Sequence, residues 1–349
     1  MQNGSNSMTP KDRYDEFSSS MLYDPFGRKL NSLRISITQK CNLHCFFCHK
    51  EGEAASNNEM TPEEIGKIAK IASELRMKKI KLTGGEPLLR EDLPKIVHEI
   101  AQYAEEISLT TNGVLLERYA QALRDVGLVR VNISLCSISP GNFRKITQKA
   151  YLEQVKNGIK AALRSGLFPV KINMVVLRDI NVDEIPQAID FAQETNAILQ
   201  LIEFQPIQRE NIAYWKDFHY DLAPVEELLR EKAVSIEENP LHKRKRYLLK
   251  RNGGSALVEI VRPMHNSGFC QNCTRLRVTS DGKLKPCLLR NDNLIDIISL
   301  IRRRAESNEL KEAFKKAALL REPYWREENE NSCKETQNIA STVKNDKHI

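Results

Sequence analysis

Leu33-Arg34-Ile35-Ser36-Ile37-Thr38-Gln39-Lys40-Cys41-Asn42-Leu43-His44-Cys45-Phe46-Phe47-Cys48 decides how the rest of the chain is read. Apolar residues at 33, 35 and 37 alternate with polar ones, as in a half-buried strand. Three cysteines follow within eight residues, on the loop that leaves that strand. Downstream the strand pattern recurs at Lys79–Leu82, Ile107–Leu109, Val129–Leu135, Val170–Val176 and Leu199–Phe204. Helical patterns lie between, at Thr61–Arg76, Leu93–Ala104, Leu115–Val126, Leu152–Ser165 and Asp183–Glu194. Thr61-Pro62-Glu63-Glu64 opens the first of these with an N-cap, a proline at the first helical position and early acids. Strand and helix alternating about six times predict an α/β fold with a parallel sheet and right-handed crossovers. A full eight-unit barrel takes about 250 residues, so the ~180 here suit an open, partial TIM-type barrel. A doubly wound sheet has the same periodicity.

After Ala223 the pattern changes. A helix over Ala223–Ala233, a charged stretch, strands at Ala256–Val261 and Arg275–Thr279 and a helix near Leu310–Leu320 read as a smaller C-terminal α+β domain. The expected division is a disordered leader over 1–20, a core over 21–222, the C-terminal domain over 223–325 and a polar tail over 326–349. The leader is rich in Asn, Ser, Asp and Glu and has no apolar periodicity.

With 349 residues, 41% hydrophobic and 28% charged, the chain is neither collagen-like nor globally disordered. No window approaches the ~20 apolar residues of a membrane span. The N-terminal residues hold no apolar run suited to a signal peptide, so a soluble, cytoplasmic protein is expected. Lys and Arg exceed Asp and Glu by 53 to 46, which suits an anionic ligand and equally suits ordinary solubility. The runs Lys243–Arg246 and Arg302–Arg304 lack interleaved aromatics and read as solvated faces, so nucleic acid is not expected as a partner.

Six of the eight cysteines are clustered: Cys41, Cys45 and Cys48, then Cys270, Cys273 and Cys287. Grouped thiols in a reducing compartment point to metal or cluster ligation rather than disulfides. A structural zinc site needs four closed ligands, whereas three thiolates on one loop leave a position open. Half of a zinc ribbon completed by Cys270 and Cys273 is the alternative reading, and with it a zinc-stabilised, basic RNA-binding protein.

Cys41-x₃-Cys45-x-Phe47-Cys48 after the first strand resembles the signature of radical S-adenosylmethionine (SAM) enzymes, and Thr83-Gly84-Gly85-Glu86-Pro87 after the second is similar to their GGEP motif. The resemblance narrows at Asp24-Pro-Phe-Gly-Arg28, Leu33–Ile37, Thr110-Thr-Asn-Gly113, Val131–Leu135, Val170–Asn173 and Cys270-x₂-Cys273-Thr-Arg275-Leu276-Arg277 with Cys287. Over about residues 21–325 the chain resembles the GTP 3′,8-cyclases of molybdenum cofactor biosynthesis.

The resemblance implies two [4Fe–4S] clusters. Cys41, Cys45 and Cys48 would hold one whose open iron binds SAM. Cys270, Cys273 and Cys287 would hold a second facing the guanine of GTP. Phe47, Gly85 and Ser134 would contact SAM; Arg34, Lys81, Thr110, Lys171, Arg275, Leu276 and Arg277 would contact GTP. A triphosphate of charge about −4 suits such a set of cations. The implied reaction removes the ribose 3′ hydrogen with an adenosyl radical and joins C3′ to C8 of guanine. No side chain is singled out as a catalytic acid or base. The resemblance also implies an electron donor of flavodoxin, ferredoxin or reductase type, cyclic pyranopterin monophosphate synthase as the downstream enzyme, and a homodimer as the candidate assembly. Another radical SAM enzyme with an auxiliary cluster, such as a peptide-modifying one, is the nearest alternative. Cys136 stands where many relatives have Asp, Gln205 where many have Met, and the chain ends Asn-Asp-Lys-His-Ile where many end in Gly-Gly. Cys136 is expected to be a small buried thiol.

Overall fold

Six strands follow one another in the computed structural model: β1 (Ser32–Ser36), β2 (Lys79–Thr83), β3 (Glu106–Thr111), β4 (Arg130–Ser134), β5 (Val170–Val176) and β6 (Ile198–Glu203). Each lies within two residues of its expected span, the usual uncertainty of element ends. The structure describes residues 21–322, apart from 55, 57, 208–210, 240–243, 252 and 264–266. The leader over 1–20, the tail over 326–349 and Cys333 fall outside the described residues. Helices return the chain between strands: α1 (Pro62–Glu74), α2 (Leu93–Ala101), α3 (Leu116–Asp125), α4 (Pro140–Thr147), α5 (Leu152–Arg164) and α6 (Ile185–Glu194). At α1 the capping box is complete. Thr61 Oγ1 accepts from Glu64 N–H, and the Glu64 carboxylate accepts from Thr61 N–H. The short α4, not anticipated from the sequence, buries Phe143 and Ile146.

Consecutive strands from β1 to β6 pair in parallel without any reversal of order. A doubly wound sheet would reverse direction at a switch point, so the order is that of a barrel. The segment expected as a smaller domain adds to both edges of this one sheet. Beyond α7 (Asn211–Phe218) and α8 (Ala223–Lys232) come β7 (Ala233–Asn239), β8 (Arg244–Arg251) and β9 (Gly254–Val261). Here β9 lies parallel to β6, and β8 and β7 continue antiparallel. After α9 (Ser267–Gln271), β10 (Arg275–Val278) crosses to the other edge and pairs parallel with β1. The short β11 (Lys283–Lys285) and β12 (Ile295–Asp296) finish that edge, followed by α10 (Ile298–Arg302) and α11 (Ser307–Leu319). Eight adjacent parallel strands result, ordered β10-β1-β2-β3-β4-β5-β6-β9. Residues from both ends of this order line one cavity, so the sheet curls into an open barrel.

Period-two alternation divides each strand between two surroundings. Leu33, Ile35, Ile80, Leu82, Val131, Ile133, Ile172 and Leu199 point to the helices and are wholly or almost wholly buried. Arg34, Lys81, Ser108, Asn132, Lys171 and Gln200 point to the cavity. One expectation is corrected at Lys243–Arg246. Arg244 to Arg246 belong to β8, not to a solvated loop. Arg244 and Arg246 face the cavity, while Tyr247 and Leu249 on the opposite face enter the core. The run Arg302–Arg304 stays at the surface, with Arg302 paired to Glu64 and Arg303 to Glu309.

Candidate functional site

The barrel encloses a cavity of about 1890 Å³. All six clustered cysteines line it. Cys41, Cys45 and Cys48 leave the carboxyl end of β1, whereas Cys270 and Cys273 enter the amino end of the neighbouring parallel strand β10. Cys287 follows β11, which runs antiparallel to β10 and returns towards that same amino end. The two trios thus sit at opposite ends of the strands, with the cavity between them.

Gly84 and Gly85 let the loop after β2 lie flat on the approach to Cys41. A Cβ at Gly84 would come 2.4 Å from Thr38 O, and one at Gly85 would come 2.3 Å from Lys40 O. Instead Gly85 N–H donates to Thr38 O and Glu86 N–H to Lys40 O. Glu86 is fully buried and accepts from Thr111 Oγ1, Asn112 N–H and Leu88 N–H. Burial nevertheless pushes its carboxyl up to about 7. The Phe47 ring packs near Phe46 and Phe204 on the cavity wall. Ser134 ends β4 on the same wall.

The cation row runs along the register. Arg277 is level with Arg34, and Arg34 with Lys81. Lys81 Nζ has Asn132 Oδ1 at 3.2 Å, and no carboxylate among the described residues pairs with it. Burial and the nearby Arg34, Arg130, Arg275 and Lys171 hold its ammonium well below the usual lysine range. Arg275, buried beside Arg34, Arg277 and Arg244, is pulled down to about 9. Lys171 is pulled down to about 8 by burial, against the attraction of Glu259 at 2.6 Å. Thirteen Lys and Arg line the cavity against four Glu, an excess that calls for an anionic ligand. Arg34 Nε, Thr110 Oγ1, Asn173 Oδ1 and Arg244 Nε are buried at this wall with no hydrogen-bond partner among the described residues. Such polar atoms are expensive to leave unpaired unless a ligand reaches them.

Of the residues expected here, Leu276 is the one that turns its side chain away from the cavity. Its side chain is wholly buried on the opposite face of β10, in the core between Arg275 and Arg277, and does not line the cavity. Cys136 lies at the wall as a buried thiol, pushed up to about 12 by burial, and Gln205 also lines the cavity. Glu51 was not anticipated. It bridges Arg34, Arg277 and Thr83, with Arg277 Nη1 at 2.8 Å and Thr83 Oγ1 at 2.8 Å. Burial opposes its charge, but the two guanidinium groups outweigh that and hold its carboxyl far below the usual range. Asp24-Pro-Phe-Gly-Arg28 also gains a structural role. Arg28 Nη1 donates to Cys270 O and Arg321 Nη2 to Cys273 O, while Asp24 holds both arginines.

None of the seven described cysteines forms a disulfide. Among the described residues, no three His, Cys, Asp or Glu side chains gather tightly enough to chelate a single ion. A closed zinc site takes four ligands, and each trio offers three, at opposite ends of the strands. Three free thiols facing a cavity do fit an iron–sulfur cluster with one iron left open. Burial works against a thiolate at Cys273, but Arg321, Arg275 and Arg277 lower it on balance.

Comparison with known proteins agrees with this geometry. Residues 35–192 match the Radical SAM superfamily model, and residues 197–327 match Molybdenum Cofactor Synthesis C. A probable GTP 3′,8-cyclase from Thermococcus kodakarensis is 50% identical over 308 residues, spanning 88% of this chain and 100% of the relative. One from Methanocaldococcus jannaschii is 46% identical over 308 residues, spanning 87% of this chain and 99% of the relative. Among solved structures, SuiB of Streptococcus suis bound to the precursor peptide SuiA superposes with a TM-score of 0.62, covering 90% of this chain and 74% of that one. At 14% identity that likeness speaks for the fold alone. With half of its residues identical across nearly nine-tenths of its length, the chain belongs to the GTP 3′,8-cyclase family of radical SAM proteins.

Proposed function

We propose that this chain is a radical SAM cyclase that converts GTP to 3′,8-cyclo-7,8-dihydro-GTP, the first step of molybdenum cofactor biosynthesis. One observation carries the reading: two cysteine trios face each other across a cavity whose wall is strongly cationic. A peptide-modifying activity gives no reason for thirteen Lys and Arg against four Glu. Enzymes of this family use SAM and iron–sulfur clusters.

Cys41, Cys45 and Cys48 would hold the cluster that binds SAM, with Gly85, Ser134 and Phe47 lining the SAM pocket at the carboxyl ends of the strands. When bound, the cluster and SAM supply a 5′-deoxyadenosyl radical that takes the ribose 3′ hydrogen. The rest of the task belongs to side chains that hold GTP still and keep water out. Cys270, Cys273 and Cys287 would hold the second cluster at the amino ends and would present it to the guanine. Between the trios, Arg34, Lys81, Lys171, Arg275 and Arg277 bind the polyphosphate, and Thr110 offers its unpaired hydroxyl to the nucleotide. Anchoring both ends of GTP turns the ring closure between C3′ and C8 into a step between atoms already oriented.

Residues 21–222 act in this reading as the core, and 223–325 as the part that brings the second cluster and substrate contacts. An electron donor of flavodoxin, ferredoxin or reductase type would reduce the first cluster, and one further electron with a proton would convert the radical left by ring closure into the 7,8-dihydro product. Cyclic pyranopterin monophosphate synthase takes the product, a homodimer is the assembly, and the cytoplasm is the location. Among the described residues, no helix is long and apolar enough to cross a membrane. The test is anaerobic incubation with SAM, reductant and GTP. The reading expects 5′-deoxyadenosine and a cyclised isomer of GTP in step; 5′-deoxyadenosine without any change in GTP would oppose it.

A further inference from the structure

Glu259, on β9, is wholly buried and gathers an unusual set of partners. Its Oε1 accepts from Lys171 Nζ at 2.6 Å and from Arg246 Nε at 2.5 Å. Its Oε2 accepts from Gln200 Nε2 at 2.6 Å and lies 3.6 Å from Arg244 Nη1. One carboxylate thus faces three cations. All three line the cavity, and the carboxylate itself does not.

Chain geometry sets this up. Arg246 is directly opposite Glu259 in the β8–β9 register, which is where a cross-strand ion pair forms. Arg244 lies two residues away on the same face, so both guanidinium groups project to the same side. Glu259 occupies Arg246 through Nε, and no described residue pairs with its remaining N–H groups. Arg244 is 13% exposed at the side chain, and its Nε is buried without a partner among the described residues. The only described carboxylate against Arg130, which lines the cavity nearby, is Glu106. A buried guanidinium with unused donors, held in place but not neutralised, is what recognition of a phosphate oxygen requires.

We propose that Arg244 and Arg246, on the hairpin at the far edge of the sheet, bind the terminal phosphates of the nucleoside triphosphate and set the preference for a triphosphate over a monophosphate. Glu259 is the positioning residue: it fixes the two guanidinium groups and Lys171 on one side and leaves their other donors to the ligand. The barrel makes this possible, because Arg244 from β8 and Arg275 from β10, at opposite ends of the strand order, line the same cavity. The hairpin therefore brings Arg244 to the cavity beside Arg275, across the gap between the two edges of the sheet. This inference rests on the reading of the cavity as the GTP site.

Binding of GTP, GDP, GMP and inorganic triphosphate to the anaerobically reconstituted protein tests it. Wild type should bind GTP more tightly than GMP. Arg244→Gln and Arg246→Gln should each weaken GTP by about 10- to 100-fold, the range of a charge-assisted hydrogen bond, and leave GMP affinity unchanged. Lys245→Gln controls for net charge, since Lys245 lies on the other face and approaches Glu226; its GTP affinity should match wild type. Matching melting temperatures and cluster absorbance identify the folded variants. Arg244→Lys, which keeps the charge and loses the fork, should fall between. Unchanged discrimination between GTP and GMP in both Gln variants would overturn the inference and leave the cyclase reading standing. No binding of GTP to wild type would overturn the cyclase reading, and this inference with it.

Discussion

Glu51 accepts a hydrogen bond from Arg277 Nη1 at 2.8 Å, joining the loop of the first cysteine trio to β10, the strand between Cys273 and Cys287 of the second. The same loop reaches the second trio's strands twice more. Gly52 O accepts from the buried Lys285 Nζ, and Glu53 Oε2 accepts from both N–H and Oγ of Ser280. The two cysteine sites are therefore parts of one packed wall.

Glu51→Gln should test that wall through ligand-induced stability. Arg34 and Arg277 would lose their shared charge partner, and breaking a buried pair from one side costs about 3 kcal/mol or more. Phosphate can replace the missing charge. Saturating GTP should raise the melting temperature of Glu51→Gln by more than it raises wild type. Equal shifts would mean that the nucleotide does not reach these two arginines.

Arg275→Ala should separate binding from folding. Among the described residues no carboxylate pairs with Arg275, and its guanidinium is pulled down to about 9 by burial and by Arg34. Its removal should weaken GTP by about 10- to 100-fold. The melting temperature should hold or rise, because a buried charge among like charges is lost. Calorimetric titration beside thermal melts checks both, and a marked drop in melting temperature would assign Arg275 a structural role.

GTP affinity should fall as pH rises through about 8. Lys171 is charged below that value in the free protein and loses its proton above it, and phosphate favours the charged form. Each pH unit above 8 then costs up to about tenfold from this group. Lys171→Arg, which stays protonated, should flatten the profile between pH 7 and 9. An identical slope in wild type and variant would place the titrating group elsewhere.

Replacing Cys41, Cys45 and Cys48 by Ala should remove one cluster and spare the other. Iron and sulfide should drop from about eight to about four per chain, the content of one four-iron cluster. SAM cleavage should disappear. Persisting cleavage would contradict the assignment of the first trio.

The sequence reading reached the barrel because β1 to β6 alternate cleanly and are separated by amphipathic helices. It reached the cavity because the cysteine trios and the cations at Arg34, Lys81 and Lys171 sit at marked positions of those strands. Three features lay beyond it. Glu51 acts through contacts with β1, β2 and β10, which only the folded register brings together. Arg244 and Arg246 look like a solvated run until β8 pairs with β9 and alternation sends every second residue inward. Leu276 shares a motif with two cavity arginines, yet the same period of two turns it into the core. Local pattern names the residue types; pairing between distant strands decides which side they face.

The most direct measurement uses GTP deuterated at C3′, with SAM and a reductant under anaerobic conditions. The cyclase account predicts that the deuterium is transferred to 5′-deoxyadenosine and is missing from the cyclised product. Unlabelled 5′-deoxyadenosine, with the deuterium still on the nucleotide, would contradict it.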